Sequence, residues 1–228
     1  MEGSDTVSHI AFDLDNTLVD ADELHYVALN LALEPCGTII TPVEHLSIFK
    51  GLPTKKKLAI LVERERIKSA DVQRIAEAKQ LATLTAIRQT IRPDKQVLAL
   101  IDMLARLGWS MCCCSNAVRD SVGAMLKESE LLPYMAFYLS NEDAVPKPAP
   151  DIYLTAASMF GIKPERLVVV EDATPGKLAA KAAGCPLVEV TCPADCTLKL
   201  LPKIYRAISP NDNGKPRAWA FKDNEMVR

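Results

Sequence analysis

No apolar run in the 228 residues reaches the roughly 18–20 that a membrane span needs. The opening stretch, Met1 to Ser8, is polar and acidic and lacks the charged-then-apolar layout of a signal peptide, so the expected setting is cytoplasmic, with no membrane partner. Neither sign of charge is in excess. Lys and Arg number 27 against 29 Asp and Glu, a net charge of -2, so there is no basic footprint and nucleic acid is not an expected partner. Internal repeats and low-complexity tracts are also missing. Cysteine is not scarce, at seven, but its arrangement excludes a disulfide framework. The number is odd, and Cys112, Cys113 and Cys114 are consecutive, so in a strand they point to alternate faces. Cys192 and Cys196 are spaced more widely than C-x-x-C and have no matching His or Cys pair nearby. Small buried thiols in a reducing compartment are expected, not a zinc site.

What is present is ordinary globular composition, 49% hydrophobic and 25% charged, in a chain long enough for one large domain or two small ones. Short apolar runs at Val7 to Phe12, Trp109 to Cys114, Ala136 to Leu139, Leu167 to Val170 and Pro186 to Val190 read as strands, the last nearest an edge. Helical patterns lie between them: Asp94 to Leu107, Val118 to Glu128, Asp151 to Phe160 and Thr174 to Ala183, with Pro150 at a start and Gly161 and Gly184 at ends. Strand–helix alternation predicts an α/β fold, a Rossmann-like parallel sheet with helices on both faces. The stretch 21–91 has no convincing strand. It reads as helices over Asp22 to Leu33, Thr54 to Arg66 and Ala70 to Thr90, broken by Pro42 and Pro53. The expected organisation is therefore a core domain from 1–20 and 92–208, a helical domain over 21–91, and a C-terminal extension over 209–228.

Polar residues cluster where the strands end. Asp13-Leu14-Asp15-Asn16-Thr17 follows the first strand, Ser115-Asn116 the second, and Glu171-Asp172 the fourth. In a parallel sheet ligands bind outside the carboxyl ends of the strands, so these groups are predicted to converge. Lys147 sits in Val-Pro-Lys-Pro-Ala-Pro, where three prolines restrict the backbone around a positive charge. Gly176 permits a close approach at the start of the following helix. Taken singly, each has a bland alternative: a solvated turn, a helix cap, a surface lysine. In this order they form a kit for metal-assisted phosphoryl transfer, with a nucleophile, a phosphate anchor, a charge compensator and oxygen ligands for a hard cation.

FDLDNTLVD, CSNA, KPAPDIY and VVVEDATPG resemble the four ordered motifs of the haloacid dehalogenase superfamily, over about Val7 to Val190. The pattern is similar to the subfamily with a helical cap after the first motif, which includes phosphoglycolate phosphatases and β-phosphoglucomutases. The resemblance implies Asp13 as the nucleophile that forms an aspartyl-phosphate, Asp15 as the general acid and then base, and Lys147 as the neutralising cation. It implies phosphate contacts from Ser115 and the Asn116 backbone, with Thr17 steadying the loop. It implies Mg²⁺ as cofactor, held by Asp13, the main-chain carbonyl of Asp15, Asp172 and Glu171, the last directly or through water. An acid at position 15 suits a phosphate ester, whose alkoxide needs a proton, and not a halide. The implied partner is a small phosphorylated metabolite such as a sugar phosphate, phosphoglycolate or a nucleotide-like ester, acted on by a monomer or weak homodimer.

Two further stretches bear on the subclass. His25 completes D-x(4)-D-x(4)-H from Asp15 through Asp20, as in mutase-like members, and the alternative is a histidine on a helix surface. Lys50 and Gly51 open a segment that resembles the substrate-reading cap loop, but Thr54 stands where sugar mutases carry Arg. Lys55 to Lys57 read as a solvated helix start, His9 and His45 as structural, Arg119 as either a substrate contact or a surface residue, and Lys79 as a possible match to a cap Lys that faces the site. Hydrolysis is the expected reaction. A phosphomutase and a catalytically idle metabolite-binding protein are the alternatives.

Overall fold

The computed structural model describes residues 8–208, together with the backbone of a two-stranded ribbon at Ala220–Lys222 and Glu225–Val227. Most of the expected C-terminal extension therefore lies outside the described residues. Five parallel strands form the central sheet: β1 His9–Phe12, β2 Ser110–Cys114, β3 Met135–Leu139, β4 Leu167–Glu171 and β5 Leu187–Glu189, in the order β3-β2-β1-β4-β5. The predicted fifth strand is indeed an edge. β1 is central because its residues are apolar on both faces, as a strand covered by helices on either side requires. Among the described residues no helix is long and apolar enough to cross a membrane.

Alternation along the strands divides the core in two. Ile10, Phe12, Cys113, Val168 and Val170 pack on one face with residues of α5 (Lys95–Arg106), α6 (Arg119–Glu128) and α9 (Leu201–Ile208). Ala11, Cys112, Cys114, Leu167 and Val169 pack on the other with α7 (Asp151–Phe160) and α8 (Thr174–Ala183). The cysteine triplet thus splits between the faces, as a two-residue period demands. All seven thiols are free, and burial raises those of Cys112 and Cys113.

The segment after β1 is helical: α1 Asp22–Leu33, a one-turn α2 Pro42–Glu44 continuing as a π-helical turn His45–Phe49, α3 Thr54–Glu63 and α4 Val72–Thr90. Thr41 caps α2 reciprocally with Glu44: its hydroxyl accepts from the Glu44 amide at 3.2 Å, and the Glu44 carboxylate accepts from the Thr41 amide at 2.9 Å. These helices have their own hydrophobic cluster, with Leu29, Leu33, Phe49, Leu58, Leu61 and Ile75 at its centre. The far end of α4 joins the sheet's core through Ile87. One long helix therefore links the helical segment to the sheet.

The chain runs β1, then β2 and β3 on one side, and returns to β4 on the other side of β1. The reversal opens a crevice at the carboxyl ends of β1 and β4, the topological switch point of an open α/β sheet. Phe12 pairs with Val170 in register, and the Asp13 amide donates to the Val170 carbonyl at 3.0 Å. Asp13 and Glu171 therefore emerge side by side.

Candidate active site

At that crevice three carboxylates, from Asp13, Glu171 and Asp172, offer oxygens within 4.8 Å of one another. The Lys147 ammonium donates to Asp13 Oδ1 at 2.6 Å, to Glu171 Oε1 at 2.6 Å and to the Cys114 carbonyl at 2.7 Å. It is buried, as are both of its acidic partners. The Pro-rich loop brings it there. The Asn116 side chain fixes that loop, accepting from the Lys147 amide at 2.9 Å and donating to the Lys147 carbonyl at 3.1 Å. Glu171 also accepts from the Tyr153 hydroxyl at 2.9 Å and from the Ala173 amide at 3.2 Å. Gly176 is what makes room for it, since a Cβ there would lie 1.6 Å from Glu171 Oε1.

The Asp13–Thr17 loop turns tightly. The Leu14 carbonyl accepts from the amides of Thr17, Leu18 and Val19, and Asn16 takes φ 65°, a conformation Asn tolerates. The turn sends the Asp15 carboxylate away from the trio. Its Oδ1 lies 2.6 Å from His25 Nε2, and its Oδ2 accepts from the Ser115 hydroxyl at 2.9 Å. The contribution of Asp15 to a metal expected from the sequence is its main-chain carbonyl, and its carboxylate lies apart from the oxygen trio. Thr17 is buried and donates to Asp172 Oδ1 at 3.3 Å. His25 Nδ1 lies 3.3 Å from Lys79 Nζ. An ammonium only donates, so with Lys79 charged Nδ1 accepts and Nε2 donates its hydrogen to Asp15.

The electrostatics separate the acids. Burial raises Asp13 well above the usual carboxylate range, the Glu171 charge adds to this, and Lys147 opposes both. Burial pulls Asp15 the same way, but the electrostatic attraction and hydrogen bond of His25 and the hydrogen bond from Ser115 outweigh it and hold Asp15 at about 2. Asp172 is pushed to about 6, by burial first and then by the Glu171 charge. Burial lowers His25, and the Lys79 charge lowers it further. Lys57 and Lys79 both fall to about 8, chiefly through burial. An all-oxygen set of three carboxylates, two of them with raised pKa values, fits a hard divalent cation such as Mg²⁺.

The cleft around these groups has an empty volume of about 820 Å³ including its mouth, in the range of small-molecule sites. Every residue singled out from the motifs lies at it or against it. Lys50 lines it, paired with Asp22 at 2.6 Å, and Asp22 in turn accepts from Asn16 Nδ2 at 2.6 Å. The Gly51 carbonyl accepts from Asn116 Nδ2 at 3.3 Å. Two expectations change, at Lys57 and His45, and the open choice for Arg119 is decided. Lys55 and Lys56 are exposed, but Lys57 is buried in the cleft wall, because α3 turns its apolar face inward and carries position 57 with Leu58 and Leu61. Arg119 does not line the cleft. It pairs with Asp143 and lies over the Tyr138 ring, 5.5 Å from its centre. His9, read as structural, packs on Phe160 with ring centres 4.7 Å apart. His45, also read as structural, lines the cleft. Tyr153 and Asp22 were not legible: each lies on a helix with ordinary periodicity, and only the fold turns it toward a partner.

A family model described as haloacid dehalogenase-like hydrolase matches residues 10–190. Hexitol phosphatase A of Escherichia coli (strain K12) is 30% identical over 188 residues, covering 81% of this chain and 83% of that protein. The probable pseudouridine-5'-phosphatase of Drosophila melanogaster is 28% identical over 194 residues, covering 82% and 83%. The solved structure of β-phosphoglucomutase from Clostridium difficile superposes with a TM-score of 0.74 over 88% of this chain and 98% of that one, at 19% identity, a likeness of fold. With the match spanning all four motif loops and the sheet that presents them, the chain belongs to the haloacid dehalogenase-like hydrolases.

Proposed function

We propose that the protein is a Mg²⁺-dependent phosphatase that hydrolyses a small phosphorylated metabolite through an aspartyl-phosphate on Asp13. The observation that carries this reading is the buried Lys147 ammonium, 2.6 Å from Asp13, beside a carboxylate trio at the switch point of the sheet. The phosphatase names of the relatives support it.

In the first half-reaction an Asp13 carboxylate oxygen bonds to phosphorus as the ester P–O bond breaks, and the leaving alkoxide takes a proton from Asp15. In the second, water attacks phosphorus, Asp15 takes the water's proton, and phosphate leaves with Asp13 restored. Lys147 aims the Asp13 carboxylate and offsets charge on the phosphoryl oxygens. Ser115 and the Asn116 backbone would hold the transferring phosphoryl group, with Asn116 lining the cleft and the Ser115 hydroxyl bonded to Asp15. Mg²⁺ held by Asp13, Glu171, Asp172 and the Asp15 carbonyl would supply fixed positive charge against the phosphoryl group.

Asp15 at about 2 is ionised in the free protein, so it must gain a proton once substrate binds. A phosphate dianion beside it raises its proton affinity. The chain Lys79–His25–Asp15 is positioned to deliver that proton: His25 gives its Nε2 hydrogen to Asp15, and Lys79 gives one to Nδ1. The helical segment 21–91 acts as a cap domain over the core, closing through the contacts of Gly51 with Asn116 and of Gln80 with Ser121 at 3.2 Å, and excluding water. Seven free thiols suit the cytoplasm.

The test is phosphate release from a panel of sugar phosphates, nucleotides and phosphoglycolate, with Mg²⁺ and with a chelator. Release that needs the cation and yields no isomerised ester is expected. Isomerisation without release would replace this reading with a mutase. No turnover of any ester would point to a binding protein.

A further inference from the structure

The helical segment contributes five basic side chains to the cleft that lie on no strand loop: Lys50, which is paired with Asp22, and His25, His45, Lys57 and Lys79. His25 and Lys79 are tied in a chain to Asp15. The other two have no such engagement. Lys57 is 7% exposed and has no acceptor within hydrogen-bond distance among the described residues. The acids that act on it through space are committed elsewhere, Asp15 to His25 and Ser115, and Asp22 to Lys50 and Asn16. His45 is 6% exposed, and both of its ring nitrogens are buried without a hydrogen-bond partner. The Tyr26 ring packs against it at 5.2 Å between centres.

A buried imidazole without partners weakens the fold, and an ammonium on a mostly buried side chain that meets no protein acceptor is answered only by what enters the cleft, so the two together on a cleft wall call for a ligand that supplies acceptors. Thr54, three residues before Lys57 on the same helix face, adds a hydroxyl to that wall. Hydroxyl groups of a neutral sugar would leave the ammonium uncompensated, whereas an oxyanion answers both its charge and its donors.

We propose that Lys57 and His45 form a second oxyanion subsite, and that the substrate is a phosphate monoester carrying a further carboxylate or phosphate. This rests on the reading of the cleft as a phosphatase site. The ester phosphate goes to Asp13, and the second anion accepts hydrogen bonds from Lys57 Nζ and from a ring N–H of His45.

Two matched pairs of esters test it with Mg²⁺: 2-phosphoglycolate against ethyl phosphate for a carboxylate, and 1,3-propanediol bisphosphate against propyl phosphate for a phosphate. In at least one pair kcat/KM favours the doubly anionic ester by at least about tenfold, the scale of one charge-assisted hydrogen bond. Lys57→Gln and His45→Gln each shrink that ratio severalfold or more, and Lys57→Arg retains most of it, which a merely structural lysine would not require. Equal kcat/KM within both pairs, or a ratio unmoved in Lys57→Gln and His45→Gln alike, overturns the subsite and leaves the phosphatase reading standing. A binding arm separates the two claims, with calorimetry of 3-phosphonopropionate and propylphosphonate, neither of which can be hydrolysed. If no ester is turned over but the carboxylate compound still binds at least tenfold tighter, and Lys57→Gln removes that difference, the subsite stands and the phosphatase reading falls.

Discussion

At the scale of single residues, the site depends on how closely the acids are made to sit. Glu171 occupies the space above Gly176, so Gly176→Ala must displace the carboxylate or the start of α8. We expect this variant to lose about 1–3 kcal/mol of stability, the usual cost of overpacking, and to bind Mg²⁺ more weakly. Thermal melts with and without the cation check both. The acids also make cation binding depend on pH. Asp172 has a folded-state value of about 6, above its ordinary 3.8, so below about 6 the folded protein holds a proton that competes with the cation. The rise in Tm on adding Mg²⁺ should therefore be larger at pH 7.5 than at pH 5; an equal rise at both would show that Asp172 is not a ligand. Much at this scale was legible. Asp13, Ser115, Lys147 and Glu171 announce themselves because strand ends and a Pro-rich loop fix where they go. Lys57 and His45 were not legible, because a lysine in Lys55-Lys56-Lys57 and a lone histidine look alike in sequence whether they face water or a cleft. Only the rotation of α3 and the π-helical turn decides between the two.

At the scale of elements, periodicity located the helices well. α1, α7 and α8 span Asp22–Leu33, Asp151–Phe160 and Thr174–Ala183, as the apolar spacing and the flanking Pro and Gly imply. α4 begins at Val72 instead of Ala70 because a 3-10 turn, Ser69–Asp71, takes up the first residues. α3 ends at Glu63, short of Arg66, where Arg64 leaves the helical conformation and Glu65 takes φ 56°. The π-helical turn His45–Phe49 leaves no mark in the pattern, and it is the element that buries an unpartnered imidazole. Replacing that ring with one of similar shape and no polar atoms removes an unmet hydrogen-bonding demand while keeping the contact with Tyr26. His45→Phe is accordingly expected to raise Tm by roughly 2–6 °C, read by differential scanning calorimetry. A fall in Tm would mean that the imidazole is satisfied in the folded protein.

At the scale of the whole molecule, the parallel sheet was legible because strands and helices alternate from Trp109 onward, and the order β3-β2-β1-β4-β5 follows the connections that such alternation allows. How the helical segment sits on the sheet was not legible, since the contacts that close it, Gly51 with Asn116 and Gln80 with Ser121, join residues of no special local pattern. If closure completes the site, Gln80→Ala should raise KM for a phosphate ester more than it lowers kcat, by about 2–5-fold for one neutral hydrogen bond, as steady-state kinetics would show. The account as a whole stands on Asp13 as the atom that receives the phosphoryl group. Its most direct test is the steady-state rate of phosphate release by Asp13→Asn with saturating Mg²⁺, set beside its circular dichroism and Tm. The account predicts a loss of at least about 10³-fold with the fold intact; a folded variant that keeps a rate within tenfold of the parent would contradict it.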